Sequence, residues 1–445
     1  MSSEIKLGLA AGGAVALAVS FLVCAVVRRV APNIGLLDRP GERKIHSSPV
    51  PVGGGIGIWC GVLFSLTLLF AAAFLSVHID VVSLRTLFSG HAEGILASGT
   101  RLVPLLGMAS VLFLLGTLDD RYNIDWKIRI AVEFLIAALA VFQGWEATFF
   151  INIPIAAKIL SVLWIVTLTN SFNLLDNMDG LSSGVAMICA SFLAAVLLFC
   201  SANANSGEPQ LFLGGFLVVM IGAIAGFWFH NMPKARLFMG DGGAYFIGFL
   251  LAAITLSATF TGNGNPSRSV LAPLCIFAVP LYDTVSVIFI RLVHRKSPFV
   301  GDTNHYSHRL VAIGLSKTGS VLTIYLTSAI CGIGAVFLFQ VNRICAVLVG
   351  CQIVMVLLLN AILEFTARRK INEIRKEETT KDLSVWTASC SAKSSSVFSG
   401  VGLSGLDSPD PFAHRKHLRR PFLPFASSTL LRLTARRFRM LLSAS

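Results

Sequence analysis

Residues 211–229 read LFLGGFLVVMIGAIAGFWF, an apolar run without a single charged side chain. A helix needs about 20 apolar residues to cross a hydrocarbon layer about 30 Å thick, because every backbone N–H and C=O must be satisfied within the segment. The run therefore reads as a membrane-spanning helix. Working outward, comparable runs lie near 183–200, 157–173, 128–144, 102–118, 52–75 and 7–27 on one side, and near 243–261, 270–292, 320–340 and 344–365 on the other. The fold class that follows is all-α: a polytopic membrane helix bundle of about eleven transmembrane helices. Composition agrees. Of 445 residues, 55% are hydrophobic and 13% charged, with mean hydropathy +0.75, far more apolar than one water-soluble core requires. The first run has no basic flank before it and is followed by Arg28-Arg29, so it reads as an anchor, not a cleaved signal.

The net charge of +13 would suggest nucleic acid in a soluble protein, but here it must be divided by side of the membrane. Loops after odd-numbered spans carry fifteen lysines and arginines against six on the other side. By the positive-inside bias the odd loops are cytoplasmic, which puts the N-terminus outside and the C-terminus in the cytoplasm. No nucleic-acid partner is implied. The nine cysteines show no metal-ligand spacing and read as small buried hydrophobes. Two regions are expected: a membrane domain over 1–370, and a Ser/Arg-rich cytoplasmic tail over 371–445 without the periodicity of a packed domain.

Polar residues crowd into the odd loops and the helix ends beside them, and carboxylates near a membrane are costly unless paired, solvated or bound to a cation. Five clusters share that side. Lys44 precedes Pro51-Val52-Gly53-Gly54-Gly55, where glycines allow an anion to approach the backbone and equally allow close helix packing. Asp119-Asp120 ends the third span, where the helix dipole disfavours them, so a divalent cation or nearby Lys and Arg must compensate; Asn123, Lys127 and Arg129 follow, and Arg121 is the adjacent partner. Asn170, Asn173, Asp176 and Asp179 recur at steps of three and would line one side if the helix continued, a set of oxygen donors suited to a hard cation. Asp241 stands among glycines in Met239-Gly240-Asp241-Gly242-Gly243, either as a helix cap or at a point of close ligand approach. Asp302 through Arg309 brings together His305, His308 and Arg309, donors suited to phosphate and sugar hydroxyls. Acidic clusters able to hold Mg²⁺ beside basic loops able to grip phosphate point to phosphoryl or phosphosugar transfer.

The segments RKIHSSPVPVGGG, GTLDD, NSFNLLDNMDG, FMGDGG and NHYSHRL, taken in order, resemble the polyprenyl-phosphate N-acetylhexosamine-1-phosphate transferase superfamily, in its bacterial undecaprenyl-phosphate branch. The resemblance implies a ten- or eleven-helix bundle with a cytoplasmic Mg²⁺ site in the plasma membrane, where Mn²⁺ would substitute. It places Asp241 as principal Mg²⁺ ligand and Asn173 as a second. Asp119 and Asp120 become the catalytic pair at the lipid phosphate. Lys44, Asn123, Arg129, Asn170, Asp176, Asp179, His305, His308 and Arg309 become substrate-binding residues. The implied partners are a UDP-N-acetylhexosamine and polyprenyl phosphate, with room for a homodimer. Where the phospho-MurNAc-pentapeptide branch carries a run of adjacent histidines, this chain reads His305-Tyr306-Ser307-His308, closer to enzymes using simple UDP-N-acetylhexosamines. A transporter or lipid flippase is the rival from another class, and it would need polar residues near mid-membrane on several helices.

Overall fold

The computed structural model describes residues 3–38, 49–78, 92–147, 153–200, 210–258, 267–297, 304–338, 341 and 344–366. Lys44, Asp302 and the expected tail lie outside them. The described chain is almost wholly helical: α1 (Ser3–Val30), α2 (Gly54–His78), α3 (Ala92–Tyr122), α4 (Trp126–Phe142), α5 (Pro154–Leu175), α6 (Leu181–Ala195), α7 (Leu211–Asn231), α8 (Gly240–Ser257), α9 (Ser267–Ile276), α10 (Ala278–Val293), α11 (Tyr306–Ala312), α12 (Lys317–Phe337) and α13 (Ile344–Thr366). Among the described residues, nine helices are long and apolar enough to cross a membrane, which makes this a multi-pass membrane protein. The expected span over 128–144 is the shorter, 17-residue α4. That over 270–292 is divided into α9 and α10 at Phe277. Pro280 explains the division: it has no N–H to offer the carbonyl of Ile276, so the ladder restarts with Pro280 in the first turn of α10, where a missing donor is tolerated.

Burial sorts the helices by position. In α8 83% of the apolar window is buried, against 11% in α13, so α8 is the axis of the bundle. Around it stand α2, α3 and α5; α1 packs on α7 and α2, α6 on α7 and α12, and α10 on α5. The outer faces expose large apolar side chains such as Phe64, Leu114, Phe142 and Leu326, as a lipid-facing surface should. The sequence of α8 suits its place, because small residues at its start let neighbours come to backbone distance.

That approach is close enough to set the geometry of everything nearby. A Cβ at Gly116 of α3 would lie 2.4 Å from the backbone nitrogen of Gly242, and one at Gly55 of α2 would lie 2.4 Å from that of Gly243. Before α2, strand β1 (Leu37–Asp38) pairs antiparallel with β2 (Val50–Pro51), and Val52 bridges Phe238. The N–H groups of Gly54 and Gly55 then donate to the carbonyls of Phe238 and Met239 at 2.8 and 2.9 Å. The Gly-rich entry to α2 is thus a packing device that clamps the start of α8, the second of the two readings open for it. Gly116→Ala is expected to lower the unfolding midpoint in detergent by the equivalent of about 1–3 kcal/mol, the usual cost of overpacking. Gly107→Ala on the same helix, where an added Cβ meets nothing within 4 Å, should not. Equal melting of the two variants would contradict a backbone contact between α3 and α8.

Candidate active site

Several helix ends meet at one end of the bundle: the C-termini of α3, α5 and α7 and the N-termini of α4 and α8. Asp119, only 7% exposed, closes α3. Asn123 takes a left-handed conformation (φ 51°) that reverses the chain, and the N–H of Ile124 donates to Asp119 Oδ1 at 2.7 Å. Asp125 caps α4 by accepting from the N–H of Lys127 at 2.9 Å. The reversal carries Arg129 back over the end of α3. Its Nη1 donates to Asp119 Oδ2 and, at 3.2 Å, to Asp241 Oδ2. The compensating cation is therefore Arg129 and not the adjacent Arg121, whose guanidinium lies 5.2 Å from the ring of Tyr122.

Asp241 sits in the first turn of α8, after Gly240 (φ 78°), and is not the helix cap, a position held by Met239. Its Oδ1 accepts from Asn173 Nδ2 at 2.8 Å, and its backbone N–H donates to Asp120 Oδ1 at 3.0 Å. Asp241 thus joins α8 to α4 and α5 through its carboxylate and to α3 through its backbone N–H. Carboxylates are favoured at this helix end by the dipole that disfavours them at the end of α3.

The expected row on α5 is kept only in part. Asn170 and Asn173 share the helix, but α5 stops at Leu175 with Asp176 as its C-cap, and Gly180 (φ 73°) restarts the chain in α6. Asp179 consequently leaves the row. Its Oδ2 accepts from the N–H groups of Lys234 and Ala235, each at 3.1 Å, and so anchors the loop from α7 into α8. Asn231 braces the same turn by accepting from the N–H of Gly180 at 2.9 Å. Burial, followed by the charges of Asp241 and Asp179, pushes the Asp176 carboxyl above its ordinary range. A cation nearby would favour its ionised form.

The carboxylates near Asp241, those of Asp119, Asp120 and Asp176, offer hard oxygens, and the Asn173 amide adds another. Among the described residues no three His, Cys, Asp or Glu side chains form a ready-made metal cage. Asp241 with the carbonyl oxygen of Asn173 would supply two protein ligands and leave the remaining positions to phosphate and water. That donor set fits Mg²⁺, which keeps its water and binds through one or two carboxylates plus phosphate oxygens.

The last cluster flanks the acidic one. Ser307 Oγ donates to Asn177 Oδ1 at 2.5 Å, tying α11 to the turn after α5. His305 is buried, its Nδ1 lies 3.0 Å from Asp283 Oδ2, and Asp283 Oδ1 accepts from the N–H of Tyr306 at 2.6 Å. The ring of His308 lies 6.3 Å from that of His305 and is partly exposed. Arg309 is placed differently from the two histidines. It is 2% exposed, and it donates to Glu364 of α13, to the carbonyl of Asn304 at 2.6 Å and to Ser286 Oγ at 2.9 Å, between the rings of Tyr282 and Tyr306. These contacts make Arg309 a fastener of the loop.

Asp283, Glu364 and Glu133 were not among the residues singled out from the sequence. Glu133, 2% exposed and one turn past Arg129, accepts from Asn170 Nδ2, which also reaches the carbonyl of Val166 at 2.9 Å. A signal existed for all three, since each is a carboxylate inside an apolar run.

Comparison with known proteins agrees with this geometry. Residues 102–259, which run from α3 to α8 and include Asp119, Asp120, Arg129, Asn173 and Asp241, match the family described as Glycosyl transferase family 4. The chain is 32% identical over 337 residues to a probable undecaprenyl-phosphate N-acetylglucosaminyl 1-phosphate transferase of Bacillus subtilis, covering 73% of this chain and 83% of that protein. The chain belongs to glycosyl transferase family 4. Other relatives are a decaprenyl-phosphate N-acetylglucosaminephosphotransferase of Mycobacterium tuberculosis H37Rv, 29% identical over 78% of this chain and 87% of that protein, and an undecaprenyl-phosphate alpha-N-acetylglucosaminyl 1-phosphate transferase of Escherichia coli K12, 28% identical over 68% and 76%. The family match ends before the His305 loop, so that loop's place in the site rests on the Ser307 and Asn177 contact.

Arg129→Leu would leave Asp119 buried beside an unpaired Asp241. Turnover of the family's transfer reaction should fall by about 10²-fold or more, as when a preorganised charge partner is removed. Arg129→Lys should recover part of it. Arg121→Leu, an exposed change, should stay within about twofold. Equal activity of the Arg129 and Arg121 variants in a radiolabelled-sugar assay would contradict the assignment.

Proposed function

We propose that this protein transfers N-acetylhexosamine-1-phosphate, and specifically N-acetylglucosamine-1-phosphate, from a UDP-sugar to polyprenyl phosphate, releasing UMP. The observation that carries the reading is the joint hold of Arg129 and Asn173 on Asp241, beside Asp119 and Asp120, at the ends of family-matched helices. Names of the relatives support the acceptor and the sugar phosphate. The phospho-MurNAc-pentapeptide alternative is disfavoured by those names and by the sequence from His305 to His308. Transport is disfavoured because the acidic cluster gathers at one end of the bundle.

In this reading the lipid phosphate lies beside Asp119 and Asp120, with its tail in the bilayer. Its second pKa is near 6, so at neutral pH it is already largely ionised, and direct attack on the β-phosphorus needs no strong base. A bond forms from a lipid phosphate oxygen to that phosphorus as the bond to the bridging oxygen breaks, and UMP leaves with that oxygen. Mg²⁺, held by Asp241 and Asn173, would supply neutralising charge on the diphosphate. Arg129 supplies a second positive charge and holds Asp119 by a hydrogen bond, while Asp120 meets the first turn of α8 and orients the acceptor. Asp176 and Asn170 line the nucleotide side, with Asp179 holding the loop that frames it. Asn123 approaches the phosphates, and the family resemblance gives Lys44 the same role. His305 and His308 face the sugar, and Arg309 positions them through Glu364.

The basic bias of the odd loops supports a site on the cytoplasmic face of the plasma membrane. One experiment tests reaction and orientation together. UDP-N-acetylglucosamine labelled at the β-phosphorus, which cannot cross a membrane, is added to sealed vesicles of either orientation. Label is expected in the solvent-extracted lipid of inside-out vesicles alone, with UMP as nucleotide product. UDP as the product, with label left in water, would overturn the mechanism; labelling confined to right-side-out vesicles would overturn the orientation.

A further inference from the structure

Asp283, in the second turn of α10, is 1% exposed, and the transfer reaction gives it no task of its own. A carboxylate sealed in an apolar run is costly unless both oxygens are used, and here both are. Oδ1 accepts from the N–H of Tyr306 at 2.6 Å, and Oδ2 lies 3.0 Å from Nδ1 of His305, itself 6% exposed. A carboxylate accepts hydrogen bonds and donates none, so the proton between this pair sits on Nδ1. In the neutral imidazole the other ring nitrogen, Nε2, is then the bare one. Among the described residues Nε2 bonds to no protein group, and it is not one of the sealed polar atoms. It is therefore open to a ligand.

Two further bonds set where that nitrogen stands. Thr284, next to Asp283, donates from Oγ1 to Ser171 Oγ of α5 at 2.8 Å, and both residues are buried. Ser307, two residues after His305, donates to Asn177 Oδ1 at 2.5 Å. Ser171 and Asn177 bracket Asn173 and Asp176 in the chain. His305 is thus tied from both sides to the segment that carries these two members of the acidic cluster. Asp283, being sealed, can act on a substrate only through His305.

A bare imidazole nitrogen is an acceptor. It suits an O–H or N–H group, which a sugar carries, and not the acceptor oxygens of a diphosphate. We propose that Asp283 is a positioning residue that keeps the His305 proton on Nδ1 and so presents Nε2 as the acceptor for an O–H or N–H of the donor's N-acetylhexosamine. The identity of that sugar rests on the function proposed above, whereas the tautomer does not. The phosphates are then left to Arg129 and the cation.

Solid-state ¹⁵N NMR of the full chain in lipid vesicles reads the tautomer directly, with histidine labelled at Nδ1 in one sample and at Nε2 in another. The His305 signal is assigned by its loss in His305→Gln. At about pH 8, where an ordinary histidine is neutral, the parent should show a protonated Nδ1 and a bare Nε2. Asp283→Asn keeps an oxygen for the N–H of Tyr306 but turns an amide donor toward Nδ1, so the proton should move to Nε2. In that variant the KM for UDP-N-acetylglucosamine should rise about tenfold, the size of one hydrogen bond exchanged for two opposed donors, while the KM for polyprenyl phosphate stays as in the parent. His305→Phe, which has no ring nitrogen, should raise the same KM alone and serves if Asp283→Asn does not fold. A protonated Nε2 in the parent, or an unmoved proton in Asp283→Asn, would overturn the pair. A moved proton with an unchanged UDP-sugar KM, or with both KM values raised alike, would overturn the positioning role. Absence of any transfer from UDP-N-acetylglucosamine would overturn the proposed function and the sugar assignment with it, and the spectrum would still decide the tautomer.

Discussion

Arg129 binds Asp119 and Asp241 with one nitrogen, and these carboxylates come from the end of one helix and the start of another. Like charges brought this close at a membrane surface repel unless something positive stands between them. The guanidinium does this, and the fold is arranged to deliver it. Asn123 reverses the chain, Asp125 starts α4, and Arg129 arrives one turn later. Small residues complete the arrangement, since Gly116 and Gly242 let α3 reach α8 at backbone distance, close enough for Asp120 to accept from the N–H of Asp241. A single arginine still leaves Asp120 and Asp176 without a bonded cation among the described residues. The enzyme's acidic cluster therefore carries an excess of negative charge suited to a divalent ion.

The helices themselves were legible because apolar length is a local property. The run at 211–229 is α7 (Leu211–Asn231) to within a few residues, and the single α10 break traces to a proline visible in the sequence. That these clusters share one end of the bundle was legible too, since Asp119, Asp120, Asn173 and Asp241 do meet. What could not be read was who partners whom. Arg121 is next to Asp120 in sequence, but the left-handed turn at Asn123 selects Arg129 in its place. The row from Asn170 to Asp179 assumed a continuous helix, and a cap at Asp176 ends it. Arg309 looked like a ligand donor because its loop is polar, whereas its partner Glu364 comes from a helix 55 residues away. Pairings set by tertiary contact carry no local signature.

Buried carboxylates form a second tier behind the cluster. Glu133 steadies Asn170, Asp283 takes both His305 and the backbone of Tyr306, and Glu364 takes Arg309. Each lies inside an apolar helix, where an unpaired charge would be costly, so each is found bonded. This tier holds short polar segments rigidly against the bundle, as a site for a charged transfer reaction requires: preorganised donors need not reorganise as charge moves.

The central claim is that Asp241 and Asn173 form a divalent-cation site in the enzyme. Binding of Mn²⁺, followed by electron paramagnetic resonance on purified protein in detergent, tests it without relying on turnover. The account predicts saturable binding by the parent protein, abolished in Asp241→Asn, which keeps the shape of the side chain and a hydrogen bond to Arg129 or Asn173, and weakened in Asn173→Ala. Binding to Asp241→Asn as tight as to the parent would contradict it.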